Sequence, residues 1–286
     1  MQAKSWGLIG VVSLGILGVG IAIGQSRPTM MGQSARHSGM MSHGSSATKL
    51  VATKTASHKL ALPPLLKPDQ SNAQSVAYTV VAQSGTMAFK AGRKTRTLGY
   101  NGNYLGPVLQ VKQGQTVTIT TKNDLSEATS FHWHGAVVPG KVDGGPHEPV
   151  AAGATKRVKF KVTQPAATLW FHPHVMGSTA KQVYQGLAGL IYVSDTASQK
   201  LKLPHDYGKD DFPVIIQDRQ FDAQNQLNYD KAYSSDGTTG PTLLMNGTLN
   251  PYINVKTKLV RLRLVNGSNA RHYQLTLSNQ QAMQQI

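Results

Sequence analysis

The stretch NGNYLGPVLQVKQGQTVTITTKN (101–123) returns as NGTLNPYINVKTKLVRLRLVN (246–266), with Pro107 on Pro251, Val111 on Val255 and Lys112 on Lys256. Few features restrict a fold more. Two copies of one supersecondary unit at domain-sized spacing imply two similar domains packed in tandem. The unit itself reads as β. Segments 77–83, 106–111, 116–121, 157–162, 169–174 and 187–193 alternate or cluster β-branched and aromatic residues, punctuated by Gly, Pro, Asn and Asp. Short strands at that spacing argue for sandwiches or barrels. The expected domains span 76–195 and 210–286, the second incomplete because its final strand-like run, YQLTLS (273–278), leaves too little sequence to close a barrel.

Composition narrows the setting. Lys and Arg number 29 against 13 Asp and Glu, a formal net charge of +16. That excess favours anionic surroundings. The cations fall within strand-like runs such as TKRVKFKVT (155–163) and KTKLVRLRLV (256–265), where alternation places them on a solvated face, so nucleic acid is not the expected partner. There is no Cys, hence neither a disulfide nor a thiolate ligand. Lys4 precedes the uncharged apolar run 6–24, which fits either a cleaved signal peptide or a membrane anchor. The chain is therefore expected to be exported to the cell surface, anchored or secreted. Residues 25–75 read as a disordered linker rich in Met, His and Ser. Within it, Met30, Met31, His37, Met40, Met41 and His43 form a run that is either an incidental tether or a copper-capturing segment, since thioethers select Cu(I).

The chemistry concentrates in FHWHGAVVPG (131–140) and WFHPH (170–174). His132 and His134 stand at i and i+2, so on a strand both imidazoles share one face, with Cα atoms roughly 6.7 Å apart. His172 and His174 repeat the spacing at another strand end, where Pro173 removes a ladder donor and marks a rim. Two such pairs on neighbouring strands converge four imidazoles, a donor set for copper or zinc. His147 lies in a loop and is read as a non-ligand, and Trp133 as a packing residue.

With these residues in view, HWHGAVVPGKVDGGPHEPV (132–150) and LWFHPHVMGSTAKQVYQGLAGLIYVSD (169–195) resemble the first-domain copper motifs of the multicopper oxidases. LVNGSNARHYQL (264–275) resembles their second domain. The resemblance implies an all-β fold of cupredoxin-like Greek-key barrels. It implies that His132 is a type 2 copper ligand, and that His134, His172 and His174 are type 3 ligands. It also implies that Asp143, in VDGGP, assists proton delivery, which is compatible with its plain reading as a turn residue. The family couples one-electron oxidation of a substrate (a phenol, an aromatic amine or Cu(I)) to reduction of dioxygen to water. Further His-x-His motifs and the type 1 cysteine have no counterpart here, and His205 and His272 stand singly. Half of the trinuclear site is therefore expected, and no turnover by this chain alone. A non-catalytic copper-tolerance protein, or a structural envelope protein like the copper-free cell-division relatives, are the other readings.

Overall fold

The computed structural model describes residues 57–230 and 237–286, together with the backbone of Val11 and Val12. Apart from those two residues, the apolar run 6–24 lies outside the described residues, as does the Met/His run 30–46. No helix among the described residues is long and apolar enough to cross a membrane.

Two sheets face each other across the main core. In the first, β1 (Ser75–Met87) pairs with β2 (Thr95–Tyr100) on one side and with β4 (Thr116–Asn123) on the other, and β6 (Thr155–Lys161) forms the outer edge. The second runs β3 (Val108–Lys112), β8 (Gly189–Ser194), β7 (Ala167–His172), β5 (His132–His134). Alternation explains the arrangement: Val76, Tyr78, Val80 and Ala82 of β1 and Val117 and Ile119 of β4 point inward against Leu109, Phe171 and Ile191. A short helix, α1 (Thr179–Gln185), follows the second histidine pair.

β8 is buried on both faces because a second half of the structure covers its outer side. Leu105, Val108, Leu190 and Tyr192 pack there against Ile215. Arg263 clamps the seam, forming an ion pair with Asp211 at 2.6 Å, donating to Thr168 Oγ1 at 2.7 Å and lying over the Tyr192 ring. That half contains β9 (Asp211–Arg219), β10 (Thr242–Met245), β11 (Pro251–Asn254) and β12 (Arg261–Asn266).

The duplicated sequence is duplicated in topology. β9 pairs antiparallel with β10 and parallel with β12, as β1 pairs antiparallel with β2 and parallel with β4. The Asn-Gly of each copy has a mechanical role. Asn101 and Asn246 both adopt a left-handed backbone, φ 53° and 50°. Asn101 accepts from Val81 N at 3.1 Å and donates to Thr79 O at 3.0 Å. Asn246 accepts from Ile215 N at 2.7 Å and donates to Pro213 O at 2.9 Å, and to Ala61 O as well. Each amide thus brackets the first strand of its own copy. Asn246 is buried and Asn101 exposed, so the two substitutions differ. Asn246→Ala strands buried backbone groups and is expected to cost about 2–3 kcal/mol, whereas Asn101→Ala, whose partners water reaches, costs about 1 kcal/mol or less. Urea unfolding midpoints of the two variants check the order.

Two segments differ from a plain reading of pattern. Residues 273–278 alternate like a strand but form none, because no strand lies beside them to complete a ladder among the described residues. Tyr273 instead packs on the core formed by Leu60, Val214, Ile216 and Met245. From Ser57 onward, the run ahead of β1 lies along the fold: His58–Lys59 pairs with β11, Gln70–Ser71 pairs with β1, and Leu60 is buried.

Candidate metal centre

The histidine pairs sit on two antiparallel neighbours. β7 pairs with β5 so that His172 stands opposite His132, and Trp170 opposite His134. The period of two turns Trp133 and Phe171 into the core and leaves the imidazoles together on the opposite face. Trp133 is a packing residue, 1% exposed, its indole N–H donating to Val142 O at 3.0 Å.

Ring centroids of His132 lie 5.5 Å from His134 and 5.2 Å from both His172 and His174. One ligand nitrogen from each of His132, His134 and His172 falls within 4.8 Å of the others, so this triad can hold a metal ion. His174 stands beside it, 6.0 Å from His172, with its backbone N–H donating to Ser130 Oγ at 2.7 Å. His147 and His272 are exposed, and His205 is exposed beside Asp206; none joins the triad.

The rings are oriented by their neighbours. His172 Nδ1 donates to Pro173 O at 2.7 Å, leaving Nε2 directed at His134 Nδ1, 3.1 Å away. His132 Nδ1 lies 3.1 Å from both the backbone oxygen and Oδ2 of Asp143. Hydrogen bonding of one ring nitrogen to a carbonyl or carboxylate, with the other free, is the usual support of a metal-binding imidazole. Asp143 reaches His132 because the 3₁₀ turn Gly140–Val142 ends on it and Gly144 follows in a left-handed conformation, φ 73°. A Cβ at Gly144 would stand 2.0 Å from Phe131 O, so only glycine lets this loop press against β5.

Burial decides protonation. His172 is pushed down to about 3, chiefly by desolvation and then by the neighbouring imidazoles; its bond to Pro173 O opposes this. His134 is lowered for the same first reason. A nitrogen-only donor set without any cysteine suits copper or zinc. The same shift bears on stability. Below about pH 6.5 the unfolded chain protonates this imidazole while the folded chain does not, so the unfolded state binds more protons and stability falls as pH falls. Between pH 7.5 and 5 the metal-free chain is expected to lose about 1–2 kcal/mol through His172, and His172→Ala should flatten that slope. Urea titrations at both pH values measure it.

Three supports lacked a signal of their own in the sequence. Trp170 stacks on His172 at 3.9 Å. Ser130 anchors His174. The fully buried Gln182 of α1 accepts from Thr129 Oγ1 at 2.9 Å and donates to Ala128 O, tying α1 to the segment that leads into β5. The one hint was position: Ser130 and Trp170 each stand two residues before a histidine, His132 and His172.

Comparison with known proteins decides the family. Residues 81–198 match the family model described as Multicopper oxidase. The chain is 48% identical over 229 residues to multicopper oxidase mco of Staphylococcus aureus, covering 80% of this chain and 51% of that protein. The chain belongs to the multicopper oxidase family. Among solved structures it is similar to a multi-copper oxidase from Pediococcus acidilactici, at TM-score 0.76 and 45% identity, covering 79% of this chain and 48% of that one. The paired sheets are accordingly cupredoxin-like, and the family implies copper as the metal for the histidines. The chain is also 40% identical over 228 residues to the cell division protein FtsP of Xenorhabdus nematophila, covering 80% of this chain and 47% of that protein. This multicopper oxidase-family chain spans about half the length of the curated relatives it matches.

Proposed function

We propose that this chain supplies the histidines of an exported copper oxidase that couples one-electron oxidation of a reducing substrate to reduction of dioxygen to water. The observation that supports the reading is the convergence of His132, His134, His172 and His174 on one sheet face. In this reading His132 holds a type 2 copper, and His134, His172 and His174 hold type 3 coppers. Bound copper supplies one-electron redox chemistry and a Lewis acid toward dioxygen. The protein's own part is to keep His172 neutral by burial, to aim the imidazoles, and to move protons. Asp143, with Oδ2 3.1 Å from His132 Nδ1, is placed to hold a proton beside the site. Residues 76–195 act as the barrel that bears the site, and the incomplete second domain, 210–286, braces it through Arg263. The apolar run 6–24 directs export, and phenols, aromatic amines or Cu(I) are the electron donors.

A thiolate is the entry point for electrons in such enzymes, and these 286 residues contain no cysteine. The chain alone is therefore expected to bind copper without turning over. Copper analysis after dialysis, with an oxidase assay on all three donor classes, tests both halves of the statement. Turnover by the purified chain would overturn the second half. The identity to FtsP favours one alternative, a non-catalytic envelope protein. Failure to retain any copper would move the assignment there.

A further inference from the structure

The outer face of the first sheet has an unusual composition. β1, β4 and β6 together contain no Asp or Glu at all. Inward positions are taken by the core, and the register fixes what the outward positions present. Ser75, Thr116 and Lys161 lie in one row. Ala77, Thr118 and Lys159 form the next, then Thr79, Thr120 and Arg157, then Val81, Lys122 and Thr155. Lys122, Arg157, Lys159 and Lys161 are exposed, as is Thr155, and Thr116, Thr118 and Thr120 beside them are half-buried. None of these four cations forms an ion pair among the described residues. Two carboxylates lie at its margins: Asp69, across the sheet from β6, accepts from Thr79 Oγ1 at 2.8 Å, and exposed Asp124 follows the end of β4.

We propose that this face is a docking surface for a linear phosphodiester polymer of the cell envelope. Along β6, cations two residues apart recur at roughly 6.7 Å. Such a row matches a chain with one negative charge per monomer better than a compact multivalent ion. The Arg157 guanidinium presents a fork suited to phosphate oxygens, and the threonine hydroxyls beside each cation add neutral donors. An open sheet face favours an extended chain over a pocket ligand. The net charge of +16 draws the whole protein toward a polyanion, and the acid-free face orients it. Edge strands also use lysines merely to block sheet-to-sheet pairing. That role needs no ligand, and it predicts no salt-linked binding localised to this face.

The test uses the full 286-residue chain and a synthetic poly(glycerol phosphate) oligomer, with affinity measured across a salt series. The triple variant Arg157→Gln, Lys159→Gln, Lys161→Gln is compared with Lys200→Gln, Lys202→Gln, Lys256→Gln, which removes the same charge from exposed positions elsewhere. The expected result is at least a tenfold loss for the first variant, with a slope of log affinity against log salt smaller by about 2, and little change for the second. Lys159→Gln alone should lower the slope by about 0.7, a check that does not depend on the triple variant folding. Equal losses in the two triple variants would overturn the proposal in favour of bulk charge. Tighter binding of duplex DNA or of a polycarboxylate of equal charge density would overturn the assigned polymer.

Discussion

Replacing His172 by alanine is expected to lower copper affinity at least about 100-fold, while His147→Ala leaves it unchanged. The buried ring of His172 is the pivot of the cluster: its Nε2 faces His134 Nδ1 at 3.1 Å, and its centroid lies 5.2 Å from that of His132. It stays neutral to about pH 3, so a metal meets no competing proton there at physiological pH. Loss of groups that merely orient a ligand typically costs 10–100-fold, so loss of the ligand itself sets at least the upper end of that range. The indole of Trp170, stacked 3.9 Å from His172, offers a direct readout, because Cu(II) bound nearby quenches its fluorescence. Titrating each variant with Cu(II) while following that emission, then measuring retained copper after dialysis, gives two independent measurements. Equal behaviour of the two variants would place the metal elsewhere.

Phe171→Ala is expected to cost about 3–5 kcal/mol, the largest effect on stability of any single substitution considered. The side chain is fully buried and lies among the rings of Tyr100 at 4.9 Å and Trp133 at 5.8 Å. Its backbone partners are Trp133 on one side and Gly189 on the other. Gly189 shows how tightly the ring is held, since a Cβ there would come within 2.2 Å of it. Truncation leaves a cavity that the two sheets cannot close without shifting β7, the strand that bears His172. The variant should therefore also hold copper less tightly, which a mutation acting on stability through a distant element would not do. Urea unfolding of the metal-free chain measures the first effect, and the Trp170 titration the second. A loss below about 1 kcal/mol would mean that the core relaxes around the vacancy.

The histidine pairs were legible in the chain because strand periodicity is local. Residues i and i+2 share a face wherever a strand forms, so His132 with His134 needed no tertiary information. The repeat was legible for a similar reason: its Asn-Gly turns are short-range devices, and the left-handed asparagines at 101 and 246 occupy equivalent places. Asp143 read as a turn residue or, through the family resemblance, as an aid to proton delivery; the structure has it end a 3₁₀ turn and face His132. The run at 273–278 misled because alternation describes a strand's faces and says nothing of whether a neighbour is there to bond it.

Alternating polarity, two copies of one unit, paired imidazoles and the lack of any thiolate determined an all-β chain with a nitrogen-only candidate metal site. Each rests on residue identity or on spacing within a few positions. The tertiary structure decided which strands became neighbours, and so brought His172 opposite His132 across β7 and β5. It chose Pro173, Asp143, Ser130 and Gln182 as the supports of that cluster, and it made His172 neutral by burying it. Those outcomes depend on desolvation and on contacts between residues far apart in sequence, and neither exists until the sheets close on each other.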